Sequence, residues 1–329
     1  MMKKGYLGLL TAFILIFLTA CGSNSNEADS SSNKKADPQA TSEKAALTLT
    51  DMAGREVSFK EQPKRIVALT NSDMNIIYAL GGTVVGRQTQ DASGVDPKEA
   101  ESATEVGNTH DLNLEKIASV TPDVVVASSE QNQKDVPALE GIGTQVVLTG
   151  ANSIDDIKKQ VATLGELLGK QTAATELTDS ITAKEQQIAS QQKDKKVRSL
   201  LILGAPGSNY AALPTSLSGD ILEKAGGVNI AADFKGVENF PQYAALNIEK
   251  IVQADPEIIF LMIHGGDEKE TEAALRKEMK QNDAWNSTTA VKNDRIVVLP
   301  AELFGTNPGV RIDEALTYMA DQINQVDNG

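Results

Sequence analysis

Two histidines, His110 and His264, are the side chains of this sequence best suited to metal or proton chemistry. A neutral imidazole is a common metal ligand and a common general base. Zinc and copper sites usually cluster three or four ligands, but the sequence has no third histidine and no cysteine besides Cys21. The pair therefore indicates an iron centre with only two open positions, unless both are surface histidines without a role.

A catalytic role for either imidazole would need a partner nucleophile, and the sequence indicates none. It contains no Gly-x-Ser-x-Gly elbow, no phosphate-binding loop and no metalloprotease histidine pair. The single cysteine lies at a predicted cleavage site and not in the mature domain. We therefore predict a binding protein and not an enzyme.

Two glutamates, Glu115 and Glu249, occupy equivalent positions in an internal repeat. Residues 112–126 match residues 246–260 at a constant offset of 134 (246 − 112), and both copies predict a helix, a proline turn and a buried strand. A repeat of this length predicts two similar lobes, and a cleft between lobes is a favoured ligand site. A chance recurrence of a common helix–proline–strand connection is the alternative, but the shared Asn-x-Glu-Lys-Ile core argues against it.

Short runs rich in Val, Ile and Leu alternate with amphipathic stretches in both halves, which predicts α/β sheets that are mostly parallel. Between the halves, Ser153 and Asp156 form a capping-box pattern, a break is expected near Gly169, and a long helix continues to about Gln192. The predicted fold class is α/β, with two Rossmann-like lobes joined by a long rigid helix. The predicted strands are 66–69, 124–127, 145–148, 199–203, 257–263 and 295–299.

The N-terminus predicts secretion and a lipid anchor. Lys3 and Lys4 precede the uncharged apolar run Leu7–Leu18, which is short for a membrane span but typical of a signal peptide. The run ends in a lipobox-like pattern at Cys21, the predicted site of lipid (palmitate) attachment; a plain signal peptide with an incidental cysteine is the alternative. The predicted domains are a signal peptide (1–20), an anchor and disordered tether (21–46), an N-terminal lobe (47–168), a lobe-spanning helix (169–194) and a C-terminal lobe (195–329).

The charge balance excludes a nucleic-acid partner. The formal net charge is −14, and loss of Lys3 and Lys4 with the signal makes it −16 (−14 − 2). A chain this acidic lacks the basic surface that nucleic acid requires. We expect contact with a membrane only through the lipid anchor.

The repeat places the two histidines on opposite lobes. His110 precedes the repeat helix of the first lobe, and His264 follows the repeat strand of the second lobe, ahead of Gly265 and Gly266. In open α/β sheets, ligands bind beyond the carboxyl ends of the strands, so the imidazoles could face each other across the cleft. Two opposed imidazoles suit the two axial positions of a heme iron, and we predict heme as the transported ligand.

Several segments resemble a known family. The lipobox, Pro63–Leu69, the paired Asn-x-Glu-x-Ile repeats and Leu217–Asn229 resemble the substrate-binding lipoproteins of ABC importers for iron-siderophores, cobalamin and heme. The similarity covers residues 47–325 and implies the helical-backbone periplasmic-binding-protein fold. Glu105–Asn113 and Met262–Gly266 look like the heme-binding lipoproteins of Gram-positive bacteria (IsdE and HupD types), as does the segment 276–285.

The resemblance also implies ligands and partners. In the IsdE type the first-lobe ligand is a methionine. Here His110 occupies that position, which resembles the HupD type with its two histidine ligands. One acidic residue on each lobe docks onto arginines of the permease dimer, and these correspond to Glu115 and Glu249. Arginine–carboxylate pairs are directional, although a glutamate in the first turn of a helix also simply suits the helix dipole.

We expect a monomer on the outer face of the cytoplasmic membrane of a Gram-positive bacterium, receiving heme directly or from a surface donor protein and delivering it to the permease. A ferric siderophore is the alternative ligand, with cobalamin third. Weaker candidates for the ligand pocket are Thr70, Asn71, Ser72 and Arg87, which could hold heme propionates, and Tyr210, Tyr243 and Phe304, which could line the macrocycle.

Overall fold

The computed structural model describes residues 46–89, 97–107, 109–192, 196–205, 208–263 and 268–327. Residues 1–45, which contain the predicted signal peptide, Cys21 and all but the last residue of the predicted tether, lie outside the described part, as does His264. Within the described part of the chain, no helix is both long and apolar enough to cross a membrane.

The described residues form alternating strands and helices, as the sequence predicts for an α/β fold. The strands are β1 Leu47–Thr50, β2 Glu56–Phe59, β3 Ile66–Ala68, β4 Gly86–Arg87, β5 Thr104–Glu105, β6 Val124–Ser128, β7 Gln145–Thr149, β8 Val197–Ala205, β9 Ser208–Ala212, β10 Gly227–Asn229, β11 Gly236–Val237, β12 Phe240–Ala245, β13 Ile258–Ile263 and β14 Ile296–Val298. The α-helices are α1 Asn71–Ala79, α2 Leu114–Ser119, α3 Val136–Gly141, α4 Ile154–Leu168, α5 Gln171–Gln191, α6 Leu217–Lys224, α7 Ile248–Ala254, α8 Glu268–Gln281, α9 Asp283–Asn286, α10 Thr289–Lys292, α11 Ala301–Phe304 and α12 Ile312–Asp327.

The first lobe contains a five-stranded sheet in the order β5-β4-β3-β6-β7. Every neighbouring pair in it is parallel. Apart from the half-buried Ser128 at the end of β6, the central strands β3 and β6 consist of buried Val, Ile and Ala, which is typical of a parallel sheet covered on both faces. The sheet confirms the parallel arrangement predicted for this half of the chain.

The second lobe contains a mixed seven-stranded sheet. Strands β8, β13 and β14 are parallel neighbours, and β10 pairs in parallel with the start of β8. Strands β9, β12 and β11 add an antiparallel edge. Only two residues separate β8 from β9, which is too short for the crossover that a parallel pair requires. The prediction of a mostly parallel sheet is therefore correct for the half that contains β8, β13 and β14, and the other half is antiparallel.

A pair of helices, α4 and α5, connects the two lobes. Ile154 and Ile157 of α4 pack in the core of the second lobe, whereas Leu164 and Leu167 pack in the core of the first. In α5 the order is reversed, since the N-terminal Ala174 lies in the first core and Ile181 and Ile188 lie in the second. The molecule thus has two antiparallel spanning helices, where the sequence predicted one.

The ends of these helices follow the predicted signals. Ser153 caps α4 by accepting a hydrogen bond from the backbone N–H of Asp156 at 3.1 Å. Gly169 ends α4 in the left-handed region, with φ of 66°, a conformation that glycine adopts without steric cost. Glu185 of α5 pairs with Lys158 of α4 at 2.8 Å and with Lys224 of α6 at 3.0 Å, which ties the helix pair to the second lobe.

Candidate ligand-binding and docking site

His110 is exposed and lies in a tight turn of the first lobe, formed by Gly107 and residues 109–112 and called here the His110 turn. Gly107 and Leu112 form an antiparallel bridge, and the N–H of Thr89 donates to the Gly107 carbonyl at 2.7 Å. Gly107 has φ of 97°, and a Cβ there would lie 2.3 Å from the Asp111 carbonyl oxygen. The turn can therefore close only with glycine at position 107.

The His110 turn leads directly into α2, which carries Glu115. The N–H of Asn113 closes the turn by donating to the Val106 carbonyl at 3.0 Å, and the Asn113 side chain caps α2. A depression of about 400 Å³ lies between the turn and the helix, and it is lined by Thr89, Gly107 and residues 111–116. The candidate ligand residue and the candidate docking residue thus share one short unit of structure.

The two copies of the repeat have the same local structure. Asn113 and Asn247 each accept a hydrogen bond at 3.0 Å from the backbone N–H three residues later, at Lys116 and Lys250. Glu115 of α2 and Glu249 of α7 consequently occupy the first turn of equivalent helices, and both are exposed. The structure confirms the repeat as a helix followed by a buried strand in each lobe, β6 and β13.

Glu130 joins the lobes through a contact that no sequence pattern predicts. Its carboxylate accepts hydrogen bonds from Asn152 at 2.8 Å and from Gln242 of β12 at 3.1 Å. Burial, and then the charge of Glu130, raise the pKa of the Tyr243 hydroxyl. Phe240, two residues before Gln242 on β12, is 61% exposed.

The N-terminus of α1 contains the predicted residues Thr70, Asn71 and Ser72. Thr70 caps the helix by accepting from the N–H of Asp73 at 3.1 Å. Asn71 is only 7% exposed, and its Oδ1 accepts no hydrogen bond within the described chain. A buried polar atom of this kind usually has a partner, so the structure leaves an acceptor available at this helix end.

Asp73, next in the chain, is a fully buried carboxylic acid that sequence reasoning missed. Its oxygens accept hydrogen bonds from the Thr149 hydroxyl at 2.6 Å, from the Gln160 amide at 2.7 Å and from the Thr70 hydroxyl at 2.5 Å. Burial is the largest influence and raises the pKa of Asp73 above its ordinary value, against the opposing effect of these donors.

Three other predicted pocket residues have different surroundings. The buried guanidinium of Arg87 donates to the Ala100 carbonyl at 3.1 Å and to Glu105 at 2.9 Å. Phe304 is 6% exposed and packs in the second core against Tyr318, with ring centroids 6.1 Å apart. Tyr210 is half-buried on β9. Arg87 and Phe304 therefore both have structural partners within their own lobes.

Comparison with known proteins identifies a family. Residues 66–303, more than half of the chain, match the family described as periplasmic binding protein. The high-affinity heme uptake system protein IsdE of Staphylococcus aureus (strain MRSA252) is 29% identical over 279 residues, covering 84% of this chain and 92% of that protein.

Two solved structures are similar over most of this chain. S. aureus IsdE complexed with heme has a TM-score of 0.69 at 27% identity, covering 79% of this chain and 98% of that one. An ABC transporter substrate-binding protein from Listeria monocytogenes EGD-e has a TM-score of 0.71 at 29% identity, covering 80% of this chain and all of that one (100%). Both support the helical-backbone fold, in which helices join two α/β lobes.

Proposed function

Because the chain belongs to the periplasmic binding protein family, whose similar members here are transport proteins and not enzymes, we propose that it binds heme for an ABC importer. In this proposal it captures heme outside the cytoplasmic membrane and delivers it to the permease for iron uptake. The observation that carries the proposal is the exposed His110 turn at the edge of the first lobe, together with β13 ending one residue before His264.

His110 and His264 supply the two axial ligands of the heme iron. Strand β13 lies between β8 and the edge strand β14 of the second sheet, and its carboxyl end is where an α/β sheet binds ligands. Two imidazoles then hold the iron from opposite faces of the macrocycle. Among the described residues, no three His, Cys, Asp or Glu side chains are grouped as a metal site, so the described part supplies no competing cluster for a bare cation.

The N-terminus of α1 receives the heme propionates. The free N–H groups and the dipole at a helix N-terminus favour carboxylates, and the segment Thr70–Ser72 provides them. Asn71 can present its amide –NH₂ to a propionate oxygen, because its O and N positions are interchangeable by a flip of the side chain. Tyr210 and Tyr243, which share one face of the β9–β12 pair, supply an apolar wall for the macrocycle.

Glu115 and Glu249 dock the protein onto the permease dimer. They are exposed, identical in type and identically placed in the two repeats. Two equivalent carboxylates suit a dimeric partner that presents an arginine from each subunit. The hydrogen bonds between an arginine and a carboxylate are charge-assisted and can be bidentate. The protein acts as a monomer, and Cys21 holds it to the outer face of the membrane through its lipid.

The test is a hemin titration of the purified mature protein. We expect a Soret band and a low-spin visible spectrum for the wild type, and loss of the low-spin character with weaker binding in His110→Ala and His264→Ala. Glu115→Gln is the control, because it lies five residues from His110 on the same unit and should leave the spectrum unchanged. Unchanged hemin spectra in both histidine variants would refute the ligation.

A parallel titration with a ferric siderophore distinguishes the alternative ligand. The heme proposal expects no binding of the siderophore at concentrations that saturate hemin binding. Tighter binding of the siderophore than of hemin would assign the protein to siderophore uptake within the same importer class.

A further inference from the structure

We infer that Asn132 is a positioning residue that holds His110 in place for heme ligation. This inference rests on the proposed function, since it assigns a role to a side chain that contacts the His110 turn and not the ligand. Asn132 lies 22 residues after His110 in sequence, in the loop between β6 and α3, and no sequence pattern connects the two.

The contact that carries the inference is a hydrogen bond to the peptide group of His110. The Nδ2 of Asn132 donates to the Thr109 carbonyl oxygen at 2.9 Å. That carbonyl belongs to the planar peptide unit that also contains the N and Cα atoms of His110. Fixing the carbonyl direction therefore fixes the plane from which the imidazole projects.

Asn132 is well suited to this task because its own position is fully determined. Its side chain is 0% exposed. Its Oδ1 accepts from the backbone N–H of Ser128 at 3.2 Å, and its Nδ2 also donates to Asp135 at 3.1 Å. The amide therefore spans the end of β6, the start of the α3 region and the His110 turn. A buried and fully hydrogen-bonded amide of this kind keeps a single orientation.

The same loop also reaches the second lobe. Glu130, two residues before Asn132, accepts the hydrogen bond from Gln242 of β12. Within this loop, Asn132 thus holds the His110 turn, and Glu130 contacts β12 of the second lobe. The loop thereby links the position of His110 to the second lobe.

The experiment compares Asn132→Ala with the wild type in the full mature protein, using hemin as the probe. Asn132→Ala removes all three side-chain hydrogen bonds, and loss of the one to the Thr109 carbonyl should by itself speed hemin dissociation about tenfold. It should also convert part of the low-spin spectrum to high-spin, because His110 leaves the iron for part of the time. Added imidazole should restore the low-spin spectrum, as it should in His110→Ala.

Asn229→Ala is the matched control. Asn229 is also buried, at 3% exposure, and its Nδ2 donates to the Ala212 carbonyl at 2.9 Å while its Oδ1 accepts from the N–H of Ala231 at 3.0 Å. It lies on β10, which pairs with the start of β8, at the end of the sheet opposite the ligand edge. We expect a similar loss of stability with an unchanged hemin spectrum.

Asn132→Asp serves where the alanine variant does not fold, because it keeps the volume and can still accept from Ser128. It places an acceptor against the Thr109 carbonyl and the Asp135 carboxylate, so its low-spin fraction should be lower still. A wild-type bis-imidazole spectrum that survives in Asn132→Ala and Asn132→Asp overturns the role of Asn132 alone. A wild type without a bis-imidazole spectrum overturns the proposed ligation and this inference together.

Discussion

The contact between the two spanning helices gives a prediction that can be worked out from distances. Gly165 of α4 faces Ala174 of α5, and a Cβ added at position 165 would lie 2.4 Å from the Ala174 Cβ. Carbon atoms in contact prefer about 3.5–4.0 Å. Gly165→Ala therefore forces the helices apart by about 1 Å at this point.

The expected cost follows from two opposing effects. Overpacking by one methyl group in a close-packed interior costs about 1–3 kcal/mol, while alanine is better than glycine within a helix by about 0.5–1 kcal/mol. The free energy of unfolding should therefore fall by about 1–2 kcal/mol. In a protein of this size, such a loss lowers Tm by about 2–8 °C. Urea denaturation followed by circular dichroism measures the change.

A compensating substitution makes the prediction sharper. In Gly165→Ala/Ala174→Gly the methyl group moves from α5 to α4, and the new Cβ would lie 3.8 Å from the Cα of residue 174, an ordinary contact. We expect the double variant to be near the wild type, although Ala174→Gly alone loses about 1 kcal/mol. The coupling energy between the two sites should be about 1–3 kcal/mol.

Gly141→Ala is the control, because Gly141 ends α3 with a negative φ and nothing within 4 Å of an added Cβ. This variant should be neutral or slightly more stable than the wild type. If Gly165→Ala were as stable as Gly141→Ala, or the double variant simply showed the sum of the single effects, the close helix contact would be refuted.

Two further predictions concern charge. Because burial raises the pKa of Asp73, the folded state binds this proton more tightly than the unfolded state, so the contribution of Asp73 to stability is present at low pH and is lost as pH rises through the raised pKa. In Asp73→Asn the amide oxygen can still accept from Thr149 and Gln160, and the amide –NH₂ can donate to the Thr70 hydroxyl. The stability of this variant relative to the wild type should therefore increase as pH rises from the ordinary carboxyl pKa of 3.8 through the raised pKa of Asp73, as measured by urea titrations. A difference independent of pH across this range would contradict the raised pKa. Glu115→Gln and Glu249→Gln should each weaken binding to the detergent-solubilised permease about tenfold and leave hemin binding unchanged, whereas unchanged permease binding in the double variant would refute docking.

Local signals in the sequence were sufficient for the elements that depend on neighbouring residues. The Ser153 cap and the Gly169 break are determined by side-chain and backbone chemistry within a few residues, and both are where the pattern predicts them. The paired Asn113 and Asn247 caps likewise follow from the repeat. The position of His110 beside α2 was predictable for the same reason.

Features that depend on distant residues were not predictable. The apolar stripe of α4 divides between two cores, and periodicity does not indicate which core each residue joins. The contacts of Asn132 with Thr109 and of Glu130 with Gln242 join positions 23 and 112 residues apart. Arg87 and Phe304 were assigned to the pocket by residue type, whereas their burial depends on tertiary packing.

The unit that runs from Gly107 to α2 has a thermodynamic consequence. Asn113 both closes the His110 turn and caps the helix that carries Glu115, so a movement of the turn would also disturb the cap. Under the proposed function, any factor by which heme changes affinity for the permease must equal the factor by which the permease changes affinity for heme. Docking would then promote cargo release only if heme weakens docking by that same factor, so measuring permease affinity with and without heme determines the direction of the effect.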